Sequence, residues 1–188
     1  LNRRKRRVYG PDDQRHRRGA VHGFAGRQVK NFADGQPGAP GRPVILPMTD
    51  AWVLTPYNID QPMPGLEALL EPGWLLNRPV LPAGDPQEIM SGLHRSLADR
   101  VHEAVRRADR PVSVAGDCCC SIGVLAGLQR VGVNPYLIWL DAHGDFNTWE
   151  TTPSGFLGGM PLAMLVGLGE QRMPQAVALR NIHQRDVL

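Results

Sequence analysis

Cysteine, aromatic residues and long apolar runs are all scarce in this sequence. Its 188 residues include three cysteines, all adjacent at 118–120, which excludes a framework of disulfides between distant segments. Clustered cysteines are typical of a reducing compartment, so we expect a cytoplasmic protein. Aromatic residues make up 6% of the chain. No apolar run approaches the roughly 20 residues that a membrane-spanning helix needs, so we expect no membrane association.

Positive charge is concentrated in the first residues. The formal net charge is +3, but residues 1–30 hold ten lysines and arginines against two aspartates, and the remainder is acidic. This basic segment lacks periodic apolar residues, and a Gly- and Pro-rich stretch follows it. We therefore predict a basic, disordered extension over 1–43 and one α/β domain over 44–188. A basic segment can bind nucleic acid through phosphates, but we favour a translated extension without that role.

The middle of the chain carries helix and strand signals in alternation. Asp85, Pro86 and Glu88 predict the start of a helix over 86–108, because they combine an N-cap, a first-turn proline and a capping box. Apolar residues recur every four positions along it, and His94 and His102 are expected on its surface or flank. We predict strands at 51–55, 112–115 and 136–140 and a helix at 121–131.

The strand predicted at Tyr136–Leu140 is an unbroken apolar run, which is typical of a strand buried on both faces of a parallel sheet. If it neighbours the strand at 112–115, the helix between them forms a right-handed crossover. The carboxyl ends of both strands then face one cavity, the usual place for a site in open α/β sheets.

Three potential metal ligands follow that apolar run at alternate positions: Asp141, His143 and Asp145. Alternate residues of an extended chain share a face, so we expect these side chains to point the same way. Oxygen and nitrogen ligands of this kind suit Mn²⁺, Fe²⁺ or Zn²⁺. The alternative is a polar loop in which Asp145 caps a turn and His143 is a surface residue.

The segment 141–161 resembles the arginase/agmatinase/formiminoglutamase (ureohydrolase) family. That family carries Asp-Ala-His-x-Asp-x-Asn-Thr and then Thr-Thr-x-Ser-Gly-Asn-x-His-Gly-x-Pro. The matching residues here are Asp141, Ala142, His143, Asp145, Asn147, Thr148, Thr151, Thr152, Ser154, Gly155, Gly159 and Pro161. Upstream, the family's Gly-Gly-Asp-His-Ser is represented by Ala115-Gly116-Asp117-Cys118, with Cys118 at the position of the ligand histidine.

The resemblance implies a three-layer α/β/α fold with a parallel sheet, and an enzyme that hydrolyses C–N bonds of linear amidines. It implies two Mn²⁺ ions that activate a bridging water, which attacks a small guanidino or amidine substrate. Asp141 would bridge both ions, His143 would bind one, and Asp145 and Cys118 would bind the other. The catalytic residues are then Asp145 and Asp141. Family members are usually oligomers, so a homo-oligomer is consistent with the resemblance.

Asn147 and Ser154 match positions that hold the amino-acid end of the substrate in arginases, so the resemblance implies that they bind substrate. Each also has a structural alternative. Asn147 could close a turn, and Ser154 precedes a glycine in a predicted loop.

The sequence departs from the family pattern at several positions. Cys118 replaces a histidine ligand, and its thiolate could shift the metal preference to Zn²⁺ or Fe²⁺; a small apolar filler is the alternative. Gly158 replaces the histidine that serves as proton shuttle, and Phe156 replaces an asparagine, which disfavours arginine as substrate.

The family's second metal motif, Asp-x-Asp-x-x-Asp, does not occur after Asp145. We therefore interpret the sequence as the N-terminal portion of a longer ureohydrolase, incomplete at its C-terminal side, or as a degenerate member. A mononuclear zinc or iron hydrolase and a non-catalytic metal-binding protein are the alternatives. Whether this chain is itself an enzyme stays open at this point.

Overall fold

The structure is a computed structural model that describes residues 49–188. The predicted extension 1–43 and the predicted start of the domain at 44 lie outside the described residues. Within the described range, helices pack against a parallel sheet, and the predicted α/β architecture is confirmed. None of the helices in this range combines the length and the hydropathy that a membrane span requires.

Three parallel strands form the main sheet, in the order β4-β1-β5. Their bounds are β1 (Asp50–Thr55), β4 (Leu75–Leu76) and β5 (Arg110–Ala115). Just beyond the carboxyl end of β1, β2 (Tyr57–Asn58) pairs antiparallel with β3 (Gln61–Pro62). The α-helices are α1 (Pro86–Arg106), α2 (Ser121–Arg130), α3 (Pro161–Leu165) and α4 (Arg172–Ala176).

Helix α1 is the longest element, and its start follows the predicted capping chemistry. The Asp85 carboxylate accepts a hydrogen bond from the backbone N–H of Glu88 at 3.0 Å. The helix ends at Arg106, two residues before the predicted end, and Ala108 then adopts a left-handed φ of 64°. Its apolar stripe packs against the sheet through the fully buried side chains of Leu97 and Val101.

The segment Tyr136–Leu140, predicted as a strand beside β5, forms only an isolated bridge at Leu137. The segment does not pair with β5, and a cavity of about 800 Å³ lies between them. Its backbone pairs instead with the last residues, because the N–H groups of Leu137 and Trp139 donate to the carbonyls of Asp186 and Leu188.

The prediction that this run is buried on both faces is wrong for the described residues. Alternate side chains are exposed: Tyr136 by 73%, Ile138 by 63% and Leu140 by 91%. The physical reason is that these alternate side chains share one face of the segment, and no described element packs over that face. Two polar atoms in the cavity wall, Ser113 Oγ and Trp139 Nε1, also have no hydrogen-bond partner among the described residues.

His94 is a second correction, because it lies in the core and not on the surface of α1. Its side chain is 1% exposed, and Nδ1 has no hydrogen-bond partner in the described range. Helix α2 approaches α1 closely at this point: a Cβ on Gly123 would lie 2.9 Å from the His94 carbonyl oxygen. The close approach of α2 therefore buries His94 as well as the apolar residues that recur every four positions along α1. Burial lowers the pKa of His94 to about 3.

We predict that His94 makes the folded state sensitive to mild acid. Its folded pKa of about 3 lies below its unfolded value of about 6.5. The unfolded chain therefore gains the proton first as the pH falls. The free energy of unfolding should then drop by about 1.4 kcal/mol per pH unit below 6.5. Urea unfolding of the wild type and of His94→Leu between pH 7 and 5 should show a shallower decline in the variant.

The matched control for this prediction is His102→Gln, which removes a half-buried histidine from the same helix. It should leave the wild-type trend in place. Equal slopes for the wild type and His94→Leu would contradict the assignment of acid sensitivity to this buried imidazole.

Candidate metal centre

The turn that follows β5 forms one wall of the site. A Cβ on Gly116 would lie 2.3 Å from the backbone carbonyl oxygen of Tyr57, so the chain requires glycine there. The next residue, Asp117, accepts a hydrogen bond from the backbone N–H of Ile59 at 2.7 Å. Burial raises the pKa of this carboxyl group. The turn is thus attached to the β2–β3 hairpin, and it holds Cys118 at the carboxyl end of β5.

The segment that starts at Asp141 forms the opposite wall. Asp141 Oδ1 accepts from the backbone N–H of His143 at 2.9 Å, which closes a local turn. Asp145 adopts a left-handed φ of 45°, and its carbonyl accepts from the N–H of Leu162 at 3.0 Å, in the first turn of α3. The backbone of Asp145 is therefore fixed to a helix, while its carboxylate is buried, with 6% of the residue exposed.

Three of the four predicted metal ligands meet between these walls. Cys118 Sγ donates to Asp145 Oδ2 at 3.1 Å. One ligand atom from each of Cys118, Asp141 and Asp145 lies within 4.8 Å of the others. The His143 imidazole lies outside this group: its side chain is 83% exposed, with Nδ1 at 3.4 Å from Asp141 Oδ1. The left-handed backbone of Asp145 departs from the extended geometry on which the common orientation was predicted.

The chemistry of this group fits a divalent cation. Its donors are one sulfur and two carboxylates, which are the ligand types that transition metals and zinc take in proteins. Neither Asp141 nor Asp145 forms a salt bridge to lysine or arginine within residues 49–188. Burial, together with the Asp145 carboxylate, raises the pKa of the Cys118 thiol to about 12. A bound cation would compensate the negative charge and displace the thiol proton.

The two predicted substrate-binding residues differ in their placement. A cavity of about 550 Å³ opens onto the three ligands, and Asn147 lines it. The Asn147 N–H donates to the Gly159 carbonyl at 3.0 Å, and its Oδ1 accepts from Thr151 Oγ1 at 3.2 Å. Ser154 is exposed and is not among the residues that line this cavity; its Oγ accepts from the N–H of Phe156 at 3.3 Å.

Phe156 lies at the candidate site but is not among the predicted site residues, although its departure from the family pattern is what disfavours arginine in the sequence analysis. Its ring lines the cavity at the ligands and also an adjacent cavity beside Asp60. A Cβ on Gly158 would lie 2.4 Å from Phe156 Cε1, so the ring occupies the space where a side chain at 158 would begin. The available signal was that both positions depart from the family pattern, two residues apart.

Comparison with known proteins assigns the family. A model described as the arginase family matches residues 61–187. The chain belongs to the arginase family. Similar relatives are the arginase of Bacillus subtilis strain 168, 41% identical over 80 residues, and that of Bacillus caldovelox, 44% identical over 86 residues. These alignments cover 43% and 44% of this chain and 27% of each relative.

Solved arginases share the fold of the described residues. The crystal structure of Bacillus subtilis arginase is 27% identical with a TM-score of 0.57, over 74% of this chain and 54% of that one. Bacillus cereus arginase is 24% identical with a TM-score of 0.61, over 74% of this chain and 55% of that one. The chain thus spans about half the length of these structures. The predictions of family and fold class are confirmed.

We predict that Phe156 and Gly158 are energetically coupled. Gly158→His restores the residue of the family pattern, but in the wild-type background it must displace the ring of Phe156. In a Phe156→Asn background, which restores the other residue, that obstacle is gone. The cost of Gly158→His, measured by urea unfolding, should be smaller in that background by about 0.5–1 kcal/mol, as for residues in contact.

A matched control pairs Phe156→Asn with Gly65→Ala, because no atom lies within 4 Å of a Cβ at Gly65. That pair should be additive. Additivity of the 156 and 158 substitutions as well would contradict the packing of the ring over Gly158.

Proposed function

We propose that this arginase-family chain contributes the metal-binding half-site of a hydrolase that acts on C–N bonds of linear amidines. The observation that carries the proposal is the convergence of Cys118, Asp141 and Asp145, whose ligand atoms lie within 4.8 Å of one another. The family match supports a metal-dependent hydrolase of the ureohydrolase type. The relatives are named arginases, which supports a small guanidino or amidine substrate.

Cys118, Asp141 and Asp145 would hold the cation directly, and His143 would join them by turning its exposed side chain inward. The family pattern implies two Mn²⁺ ions, and the sulfur of Cys118 makes zinc or iron the alternative. Bound divalent cations of this kind lower the pKa of water, so that a nucleophile is available near neutral pH. Asp141 and Asp145 would be catalytic in this sense, because they would hold the cations beside the cavity.

Substrate would occupy the cavity next to these ligands. Asn147 lines it and is held in place by its bonds to Gly159 and Thr151, so it can orient a polar group of the substrate. Ser154 would contribute after a movement of its loop. Phe156 presents an exposed aromatic ring at the same cavity where the family pattern has a polar asparagine, which favours substrates that lack the polar amino-acid end of arginine.

A mononuclear hydrolase is the second candidate function. It is favoured by the geometry of the described residues, in which three ligands converge on one position and His143 lies apart. A non-catalytic metal-binding role is the third, and metal stoichiometry with product assays separates the three.

We also propose a cytoplasmic location. All three cysteines are free thiols, and two of them are buried. Free cysteines in a row are typical of proteins that stay in a reducing compartment.

We predict that Asp145→Asn abolishes metal uptake. The substitution keeps the shape of the side chain and removes the buried charge. Affinity should fall by more than the roughly 10–100-fold that loss of an outer-shell partner costs. Elemental analysis after dialysis against Mn²⁺ or Zn²⁺ measures the bound metal. Two bound Mn²⁺ per chain would favour the binuclear hydrolase. One bound Zn²⁺ per chain would favour the mononuclear hydrolase.

The matched control is Asp99→Asn, which removes an exposed carboxylate on α1 that pairs with Arg130. It should bind metal like the wild type. Hydrolysis is assayed as urea or formamide released from arginine, agmatine, guanidinobutyrate and formiminoglutamate. A wild-type chain that takes up neither Mn²⁺, Zn²⁺ nor Fe²⁺ would overturn the proposed function.

A further inference from the structure

The cysteine run places one residue type in three different environments. Cys118 Sγ lies in the ligand group, within hydrogen-bonding distance of Asp145 Oδ2. Cys119 is fully buried, and its Sγ donates to the Leu157 carbonyl at 3.6 Å. Cys120 is 5% exposed and packs in an apolar cluster with Leu97 and other core residues. The ligand group therefore contains one sulfur, that of Cys118. Cys119 and Cys120 lie outside the group, so substitutions there can serve as controls.

A sulfur ligand changes which metal ion such a group binds most tightly. A thiolate is a soft ligand that suits Zn²⁺ and Co²⁺, whereas Mn²⁺ prefers oxygen ligands and is the weakest-binding ion of the first-row series. Together, Cys118 as a thiolate and the carboxylates of Asp141 and Asp145 carry three negative charges. That is more than enough to neutralise one divalent cation, without a contribution from His143.

We propose that Cys118 binds the cation through its thiolate, so that this position takes Zn²⁺ in preference to Mn²⁺. The sulfur–metal bond replaces the sulfur–hydrogen bond, and the proton is released to solvent. The inference rests on the metal site of the proposed function, and it goes further by naming the ligand atom that sets the metal preference. The restoring substitution at this position, Cys118→His, should move the preference back toward Mn²⁺.

Co²⁺ is the probe for the thiolate bond, because a cobalt–thiolate pair absorbs in the near ultraviolet through sulfur-to-metal charge transfer. The full chain is titrated with Co²⁺, and bound cobalt is counted by elemental analysis. The wild type and Cys120→Ala should show the charge-transfer band. Cys118→Ser and Cys118→His should lose it, even where cobalt still binds. Circular dichroism confirms that each variant is folded.

Metal preference is measured by competition. The wild type is loaded with Mn²⁺ and challenged with an equal concentration of Zn²⁺, and the bound metals are counted. The wild type should exchange nearly all of its manganese, and Cys118→His should retain at least tenfold more than the wild type. Both measurements are independent of catalytic activity.

The outcomes separate this inference from the proposed function. Cobalt or zinc uptake without a charge-transfer band would overturn the thiolate assignment and leave the metal site standing. A band that survives Cys118→Ser and disappears in Cys120→Ala would overturn it too. A chain that takes up none of Co²⁺, Zn²⁺ and Mn²⁺ would overturn both the thiolate assignment and the proposed function. A band confined to chains that retain Cys118, with at least tenfold more manganese retained by Cys118→His than by the wild type, would establish the inference.

Discussion

The hydrogen bond from the Cys118 thiol to the Asp145 carboxylate joins two parts of the site that lie 27 residues apart in the chain. One partner lies just beyond the carboxyl end of β5, and the other is fixed by its carbonyl to the first turn of α3. The carboxylate is buried and has no basic partner among the described residues, so the contact at its oxygen matters. A buried charge is tolerated where hydrogen bonds or a cation compensate it. The remaining features of the site follow from where these two groups are held.

Turns and short helices hold the two walls of the site in place. Direct backbone pairing does not, because β5 and the segment 136–140 are not paired. Asp117 ties the turn after β5 to the β2–β3 hairpin through Ile59. On the other side, the loop after Asp145 is anchored by Trp149, whose indole N–H donates to Glu170 at 2.9 Å. The cavity between β5 and the segment 136–140 shows why this matters. The candidate ligands converge although β5 and the segment 136–140, which precede them, do not pair with each other, because each wall has its own anchor.

Departures from the family pattern are connected in space. Phe156 and Gly158 occupy one volume, since the ring lies where a side chain at 158 would begin. Cys118 also approaches this position, with Sγ 3.5 Å from the Gly158 carbonyl. The three replaced positions therefore line one cavity. A cysteine in place of one histidine, a glycine in place of another and a phenylalanine in place of an asparagine together define a candidate site that differs from the arginase pattern.

The sequence by itself determined the local structure and the residue types of the candidate metal centre. The caps of α1, the strand at β5 and the residues Cys118, Asp141 and Asp145 were all predicted, because short-range patterns and a specific motif encode them. Tertiary structure decided what depends on distant neighbours. It buried His94 where Gly123 lets α2 approach, left alternate residues of 136–140 exposed for want of a described neighbour, and set His143 apart from the ligand group. Periodicity specifies which face of an element is apolar, but packing decides what covers that face and which side chains meet.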